Sequence, residues 1–386
     1  MEISIRATMG QYTIRKTTEH DLEKVMPLFD HSRSIMRSNG NQRQWVGGYP
    51  AEAIIREDIA RGNSYVLTDG LKIAGTFAFI IGRDTTYEKI EDGAWQEDDR
   101  PYGTIHRMAR SASHRGIFAT AIDWCRRQTT SLRIDTHEDN AIMRHLIEAH
   151  GFTYSGIIRV ADGSPRMAYQ MLKTRMLCEP LSKYIMQEIL PRYASFDNAH
   201  RQDHAESVIN NSMMLATHYD VDPNMVYTIA AYHDTGLCKG REIHHAASKQ
   251  ILLADTELRK WFSESQITMM GEAVEDHRAS SGREPRSLYG KIVAEADRDI
   301  DALKIVRRTV LYGMEHYSNL DKEAHWARTL AHLNDKYSEK GYMKLWIPES
   351  PNAEKLAELR HLIADKERLR KIFEQLYEAE KRHQPQ

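Results

Sequence analysis

The sequence predicts a two-domain protein, with an α/β domain followed by an all-α domain. Short strand-like runs alternate with helices up to about residue 172, whereas nearly every later segment places its apolar residues at helical spacing. The length of 386 residues also exceeds what one ordinary core accommodates. We therefore expect domains at residues 1–174 and 180–386, with the change of pattern between residues 172 and 182.

The N-terminal part contains six runs that have the composition of β-strands. They are Tyr12–Arg15, Ser64–Leu67, Ile73–Ile81, Gly103–Met108, Leu132–Asp135 and Arg166–Met171. Helices are expected from Phe118 to Arg127 and around Met143 and Leu146. In the C-terminal part, the tail from Asn352 to Arg382 places Leu, Ile and Phe at helical intervals among alternating charges, which predicts an amphipathic packing helix.

Composition and charge argue against two classes of function. Lysine and arginine number 53 against 55 aspartate and glutamate, and the first 172 residues are balanced by themselves, so neither half has the basic excess of a nucleic-acid-binding protein. The longest apolar run, near Ile73–Ile81, is far too short to span a bilayer, and the N-terminus lacks the apolar region of a signal peptide. Cys125, Cys178 and Cys238 lie far apart, which favours a reducing compartment. We expect a cytoplasmic protein.

Histidine and aspartate residues in the C-terminal half predict a metal site. His233 and Asp234 stand side by side at the end of the apolar helical stretch Met225–Tyr232, with His204 upstream and Asp297 downstream in similar helical contexts. Neutral imidazoles and carboxylates suit divalent metals such as Mn, Fe, Ni, Co or Zn. Asp297 also lies in an apolar stretch, where a buried carboxylate needs a cationic partner, and a metal is the simplest such partner.

The order His, His-Asp, Asp at positions 204, 233–234 and 297 resembles the HD-domain metal-dependent phosphohydrolases. The resemblance implies an all-α helical bundle, one or two divalent metal ions held by these residues, and a small phosphoester or nucleotide as substrate. His200 is a weaker alternative to His204, because it precedes the helical pattern and lies in the expected entry loop.

Relatives that hold two metals carry extra histidines in the intervals where His244, His245 and His277 occur. The resemblance therefore implies that His244 and His277 either hold a second metal or position the substrate, while the alternative is that these histidines cap helices. Between the adjacent pair, His244 is preferred because a small residue, Ser248, follows it by four positions.

Catalysis of phosphoester hydrolysis needs an oriented water and cations that neutralise the developing charge. We expect Asp234 to orient the attacking water, and Arg278 and Lys291 to neutralise that charge, since both lie close in sequence to expected ligands. Arg283 and Arg286, in the same interval, are either phosphate contacts or ordinary surface arginines. Arg307 and Arg308, with Tyr312, either extend the pocket or lie on an exposed helix face.

The N-terminal half is similar over its whole length to the GNAT acetyltransferases, which implies a mixed, mostly antiparallel sheet with flanking helices, acetyl-CoA as the acyl donor and an amine acceptor. Three passages carry the resemblance, namely Gly103–Ala109, His114–Phe118 and Leu132–Asn140. The resemblance implies that the central strand, which contains Ile105 and Arg107, hydrogen-bonds the pantetheine arm of the cofactor. The loop that holds the pyrophosphate at a helix start contains Arg115 and Gly116, and Asn140 is retained.

The phosphate loop departs from the family pattern, because Ser113 stands at its first position and Phe118 at its last. A phenylalanine in place of a glycine or alanine is expected to crowd the backbone there. Ile147 also occupies the place of a tyrosine that protonates the departing thiolate in many relatives. Glu138 or His137, at the C-terminal end of a strand, could act as the base that deprotonates the amine.

Three hypotheses follow for the whole chain. The first is a bifunctional enzyme that joins a metal-dependent phosphohydrolase to an acetyltransferase. The second is a phosphohydrolase whose inactive GNAT-like domain senses acetyl-CoA or another ligand. The third is a non-catalytic scaffold with a structural metal. Binding of acetyl-CoA separates the first two, and metal retention without turnover supports the third.

Overall fold

A computed structural model describes residues 7–9, 12–195, 202–278 and 283–383. By its internal contacts the chain divides into two units. The N-terminal unit comprises Met1–Tyr184 and Thr256–Ile267, and the C-terminal unit comprises Ile185–Asp255 and Thr268–Gln386. His200 lies outside the described residues. Within the described ranges, no helix combines the length and apolar character needed to cross a membrane.

The N-terminal unit is built on one mixed sheet, as predicted. Its strands are β1 (Ala7–Met9), β2 (Tyr12–Lys16), β3 (Ser64–Asp69), β4 (Lys72–Ile81), β5 (Gly103–Arg110), β6 (Leu132–Thr136), β7 (Thr153–Arg159) and β8 (Pro165–Met171). Their order across the sheet is β1-β2-β3-β4-β5-β6-β8-β7, and every neighbouring pair is antiparallel except β5 and β6. All six predicted strand runs lie in strands, while β1 and β7 were not predicted.

Five helices accompany the sheet in the described part of the N-terminal unit. They are α1 (Leu22–Ser38), α2 (Glu52–Ala60), α3 (Ile117–Cys125), α4 (Ala141–Ala149) and α5 (Glu179–Tyr184). Apolar side chains of α3, such as Ala121 and Ile122, are buried in one core cluster with Phe77 and Phe79 of β4 and Ile134 of β6. This burial of one helix face and one sheet face fixes the position of α3 against the sheet.

The parallel pairing of β5 and β6 is short. It joins Gly103 to Leu132, Thr104 to Arg133 and Ile105 to Ile134. Beyond these residues β5 remains paired only with β4, and β6 remains paired only with β8. The two strands therefore separate after Ile105 and Ile134, at the centre of the sheet.

The C-terminal unit is helical, as predicted. Its helices are α6 (Gln202–Ala216), α7 (Pro223–Tyr232), α8 (His244–Ala254), α9 (Glu264–Asp276), α10 (Leu288–Ala296), α11 (Ala302–His316), α12 (Lys322–Tyr337), α13 (Asn352–Ala364) and α14 (Lys366–His383), with the first residues of α9 in the N-terminal unit. Nearly every residue of α7 is buried, so this helix lies inside the unit. Asp222 caps its start by accepting a hydrogen bond from the backbone N–H of Asn224 at 2.9 Å.

The C-terminal tail forms two helices, where the sequence predicted one amphipathic helix. Asp365 leaves the helical region, with φ −82° and ψ 80°, between α13 and α14. Its carboxylate accepts a hydrogen bond from the backbone N–H of Arg368 at 3.0 Å, so it caps the start of α14. The apolar periodicity continues across the break, and for that reason the pattern alone did not reveal it.

Candidate functional site

Six side chains of the C-terminal unit converge at the ends of five helices. They are His204 on the first turn of α6, His233 and Asp234 directly after α7, His244 at the start of α8, His277 directly after α9 and Asp297 directly after α10. Their exposed fractions run from 0% for His233 to 24% for Asp297. The structure thus brings together all six residues that the sequence singled out as metal ligands.

Three of these residues form the first ligand group, which consists of His204, His233 and Asp297. The Nε2 atoms of the two histidines lie 3.4 Å apart. Oδ1 of Asp297 lies 3.2 Å from Nε2 of His204 and 3.7 Å from Nε2 of His233. Ligand atoms held about 2.1 Å from one ion are roughly 3 Å apart at right angles, so these distances suit a common ion.

The second ligand group consists of Asp234, His244 and His277. Nε2 of His244 lies 3.2 Å from Nε2 of His277, and Oδ1 of Asp234 lies 3.4 and 3.3 Å from these two atoms. The other oxygen of Asp234, Oδ2, lies 3.4 Å from Nε2 of His233 in the first group. The carboxylate of Asp234 therefore faces both groups, with one oxygen toward each.

Backbone carbonyls select the tautomer of three of the histidines. A carbonyl oxygen only accepts hydrogen bonds, so each Nδ1 that contacts one carries the proton. These contacts are His233 to Ala230 at 2.7 Å, His244 to Arg241 at 2.7 Å and His277 to Val274 at 2.5 Å. In its neutral form, each of these rings presents its Nε2 lone pair to the centre, which is the usual arrangement of a metal-binding histidine.

The helix ends favour a cation at this place. Helices α7, α9 and α10 end where His233, His277 and Asp297 stand, and the C-terminus of a helix carries partial negative charge. Tyr193 braces the end of α7, because its hydroxyl donates to the carbonyl oxygen of Ala231 and accepts from the N–H of Asp234. The backbone therefore both positions the ligands and contributes negative potential.

Both carboxylates of the site are held in the ionised state. Burial alone would raise the pKa of Asp234, but the imidazoles of His233 and His277 hold that pKa well below its usual range. Burial would also raise the pKa of Asp297, but the hydrogen bond with His204 outweighs burial, so the pKa of Asp297 is lowered. A pocket with two ionised carboxylates and four imidazoles attracts cations.

Gly236 lets α8 approach the end of α7. A Cβ at this position would lie 2.2 Å from the carbonyl oxygen of His244 and 2.4 Å from the backbone nitrogen of Ser248. The N–H of Gly236 also donates to the hydroxyl of Ser248 at 2.8 Å. The small residue four positions after His244 thus anchors α8, and this close contact places His244 beside Asp234.

The two cations expected to contact phosphate have different surroundings. Arg278 donates to the carbonyl oxygen of Glu242 at 2.5 Å and contacts Nδ1 of His245 at 3.3 Å, so its guanidinium lies over the start of α8. Lys291 forms an ion pair with Glu284. Within the described ranges, Lys291 forms no hydrogen bond or ion pair with any of the six ligands, so its role at phosphate stays a prediction.

Arg283 and Arg286 pair with acids of α9. Arg283 donates to Asp276 at 2.7 Å, and Arg286 donates to the same carboxylate at 2.8 Å and to Glu275 at 2.6 Å. Burial would raise the pKa of Glu275, but the hydrogen bonds from Arg286 and Lys249 lower it to about 2. These arginines therefore fasten the segment after His277 to α9, a role that the sequence interpretation did not consider.

Two further cations near the ligands were missed by the sequence reasoning. Burial lowers the pKa of Lys336 on α12, as do the charges of Arg308 and Arg298, whereas the nearby carboxylate of Asp297 raises it. In the described part of the chain, no carboxylate lies within ion-pair distance of Lys336, and the buried Nε of Arg298 has no hydrogen-bond partner. Arg298 could have been noticed because it follows Asp297, but no local pattern marks Lys336.

The N-terminal unit contains a cavity of about 710 Å³ where β5 and β6 separate. Ile105, Arg107 and Asn140 line it, as the resemblance implied. Arg107 has a positive φ of 50° at a bulge of β5, and its guanidinium donates to both oxygens of Asp58 at 2.7 and 2.8 Å. Asn140 caps α4 by accepting from the N–H of Met143 at 3.2 Å. The two polar side chains thus have structural partners within the protein.

The loop before α3 has the geometry of an anion-binding turn. Gly116 adopts a left-handed conformation with φ 74°, and no atom lies within 4 Å of where a Cβ would be. Arg115 is exposed on the same loop, and its carbonyl oxygen accepts a hydrogen bond from Tyr12 at 2.8 Å. Free backbone N–H groups at the start of α3 follow Gly116, which is where a phosphate binds in such loops.

Phe118 packs differently from the expectation that it crowds the phosphate loop. Phe118 is buried in the core, edge-on to the ring of His150 at 5.1 Å, so its side chain packs inward instead of crowding the loop, and it also forms part of the cavity wall. Ile147 is fully buried in the same core. His137 and Glu138, the two options for a base, are not among the residues that line the cavity.

The close contact at Gly236 generates a test. Gly236→Ala forces α8 away from the end of α7, and we expect a loss of stability of roughly 1–3 kcal/mol together with weaker metal binding. Thermal unfolding and metal content measure the two effects. Ser248→Ala, which removes only the hydrogen bond, should have a smaller effect. Unchanged metal content and stability in Gly236→Ala would contradict this role.

Comparisons with known proteins agree with both halves of the chain. The family model "HD domain" matches residues 201–300. Among solved structures, a GNAT-family acetyltransferase from Streptococcus agalactiae is 30% identical, covering 43% of this chain and 98% of that one, with a TM-score of 0.40. A GNAT-family acetyltransferase from Listeria monocytogenes is 19% identical over 43% of this chain and 98% of that one, with a TM-score of 0.34. None of the curated proteins matches.

On the 30% identity over nearly all of the streptococcal protein and on the family model, the chain belongs in its N-terminal half to the GNAT acetyltransferases and carries an HD domain in its C-terminal half.

Proposed function

We propose that the C-terminal unit is a phosphohydrolase that works with two divalent metal ions. The observation that carries this proposal is the position of Asp234, whose two oxygens face two separate groups of histidine ligands. A carboxylate placed between two ligand groups is suited to bridge two cations, and paired metals are a common device for phosphoester hydrolysis. The substrate we propose is a small phosphoester or a nucleotide.

The residues fit such metals by their chemistry. Three histidines have Nδ1 committed to carbonyl oxygens, so that Nε2 faces the ligand groups, and both carboxylates are ionised. This mixture of nitrogen and oxygen donors suits Mn, Fe, Ni, Co or Zn. When bound, the metals supply Lewis acidity at the phosphoryl oxygens and a nucleophile at neutral pH.

The chain's own residues would then position the reactants. Asp234 lies between the two groups, and its carboxylate can accept a hydrogen bond, so it would orient the attacking water. The cations around the ligands, Arg278 over the start of α8 and Lys336 with Arg298 near Asp297, would neutralise the charge that develops on the phosphoryl oxygens. In this proposal, Lys336 has the charge-neutralising role that the sequence analysis expected of Lys291.

A second function is supported for the N-terminal unit, an N-acetyltransferase that uses acetyl-CoA. The specific observation is the separation of β5 from β6 beside a cavity, with the left-handed Gly116 and the start of α3 at the far end of β5. This arrangement offers a strand edge for the pantetheine arm and backbone N–H groups for the pyrophosphate. A ligand-sensing domain without transfer activity is the alternative, and a protein that binds acetyl-CoA but acetylates no amine would favour it.

Metal content tests the two-group arrangement. The parental chain should retain two metal ions, and His277→Ala should lower this to one, because it removes a ligand of the second group alone. His245→Ala is the matched control. His245 adjoins the ligand His244 in sequence, but it contacts Arg278 and belongs to neither ligand group. Equal metal content in the His277→Ala variant and the parental chain would contradict the second site, as would an equal loss in His245→Ala.

Hydrolysis tests the role of Lys336. A panel of nucleoside phosphates and p-nitrophenyl phosphate identifies a substrate, and on it Lys336→Met should raise KM by about tenfold or more because a partly desolvated contact to phosphate is lost. Lys291→Met, which removes the same charge from a lysine paired with Glu284, should leave KM unchanged. The assignment fails if the two variants behave alike.

A further inference from the structure

We propose that His106, Asp84 and Asp135 form the acceptor end of the acetyl-transfer site, where they bind a protonated primary aliphatic amine and His106 takes its proton. This inference rests on the acetyltransferase function proposed above. The sequence suggested His137 or Glu138 for the base, and the three residues named here were not singled out.

The position of these residues follows from the sheet. Ile105 and Ile134 are the last paired residues of β5 and β6, so His106 and Asp135 are the first residues beyond the point of separation. Asp84, in the loop after β4, faces His106. All three side chains line the cavity. A pantetheine arm that begins at Gly116, beyond the end of β5, and runs between the separated strands would bring its thioester toward this point.

Hydrogen bonds determine which ring nitrogen of His106 carries the proton. Oδ2 of Asp84 lies 2.8 Å from Nε2 of His106, and its Oδ1 accepts from the N–H of Thr86 at 2.9 Å. Burial would raise the pKa of Asp84, but the hydrogen bond from His106 outweighs it and the pKa is lowered. An ionised carboxylate only accepts, so Nε2 carries the proton and Nδ1 has a free lone pair.

Asp135 supplies a second acceptor. Tyr87 is fully buried and donates its hydroxyl to Oδ1 of Asp135 at 2.5 Å. Burial and the charge of Asp135 raise the pKa of Tyr87 well above its ordinary value, so the phenol keeps its proton and remains the donor. Oδ1 of Asp135 lies 3.8 Å from Nδ1 of His106, too far for a hydrogen bond between them.

This geometry matches an ammonium group. Nδ1 of His106 and the carboxylate of Asp135 both accept hydrogen bonds, and a primary ammonium has three N–H donors that can reach both. A phosphate or carboxylate ligand would meet two carboxylates and be repelled. The three side chains are only 10–14% exposed, so water screens the attraction weakly.

The alternative bases are placed less favourably. Nδ1 of His137 accepts the backbone N–H of Asp139 at 3.1 Å, and the ring is almost completely buried. Glu138 is exposed and pairs with Arg43 at 3.1 Å. Neither side chain lines the cavity.

The transfer step balances with an acyl thioester as the donor. The ammonium gives one proton to Nδ1 of His106, which passes it to solvent. The nitrogen lone pair then forms the C–N bond at the thioester carbonyl carbon as the C–S bond breaks. The second proton lost from nitrogen goes to the departing thiolate, so the products are an amide, a thiol and one released proton.

Calorimetric titration of the full chain with 1,4-diaminobutane tests the site without any turnover. The parental chain should bind this amine, and Asp135→Asn, which keeps an acceptor for Tyr87 but removes the charge, should weaken binding by about 30-fold. Asp162→Asn is the matched control, because Asp162 lines the same cavity but accepts hydrogen bonds from Ser164 within its own turn. His106→Gln should retain amine binding within a few fold while acetylation of the amine is lost.

Absence of amine binding to the parental chain at millimolar concentration overturns the inference, and so does equal binding by Asp135→Asn and Asp162→Asn. A parallel titration with acetyl-CoA keeps the two proposals apart. If acetyl-CoA binds and the amine does not, the acceptor site is wrong and the acetyltransferase proposal stands. If the amine binds and acetyl-CoA does not, these residues bind an amine, but the acetyltransferase proposal and the proton-accepting role of His106 in acetyl transfer are wrong.

Discussion

The buried carboxylate of Asp234 is the group on which the C-terminal unit depends. Its side chain is only 5% exposed, and an ionised carboxylate in that setting is costly unless cations or donors surround it. Four imidazoles, the hydroxyl of Tyr193 at its backbone N–H and the ends of three helices meet around it. Two local features hold these groups around the carboxylate. Gly236 has no Cβ, which lets α8 approach the end of α7, and Arg283 and Arg286 hold the segment after His277 to α9.

The N-terminal unit is organised by a different constraint, the short parallel pairing of β5 and β6. Only three residue pairs join them, and the groups that follow, His106 and Asp135, lie where the backbone of each strand loses its partner on one side. Such unpaired backbone groups need hydrogen bonds from a ligand or from water. The same separation therefore creates the cavity, leaves backbone groups free for a bound chain and places reactive side chains at one end of it.

The sequence anticipated the class of both folds and the six residues that the structure brings together. Apolar helical settings marked His204, His233, Asp234 and Asp297, whereas His244 and His277 were expected from the resemblance to HD-domain proteins. It did not anticipate β7, in which a bulge at Tyr154 and Gly156 interrupts the alternation, or the break at Asp365 within a continuous amphipathic pattern. Lys336, His106 and Asp84 were missed for another reason. Each acts through neighbours distant in sequence, and no local pattern carries that information.

The most direct test of the central claim is a metal titration of the chelator-treated full chain while phosphoester hydrolysis is followed. If Asp234 joins two metal ions in one reactive centre, turnover is absent without metal, rises with added metal and saturates at two ions per chain. The same titration of Asp234→Asn then restores no turnover. Hydrolysis that persists in the metal-free chain, or an Asp234→Asn variant that works at the parental rate, would contradict the account.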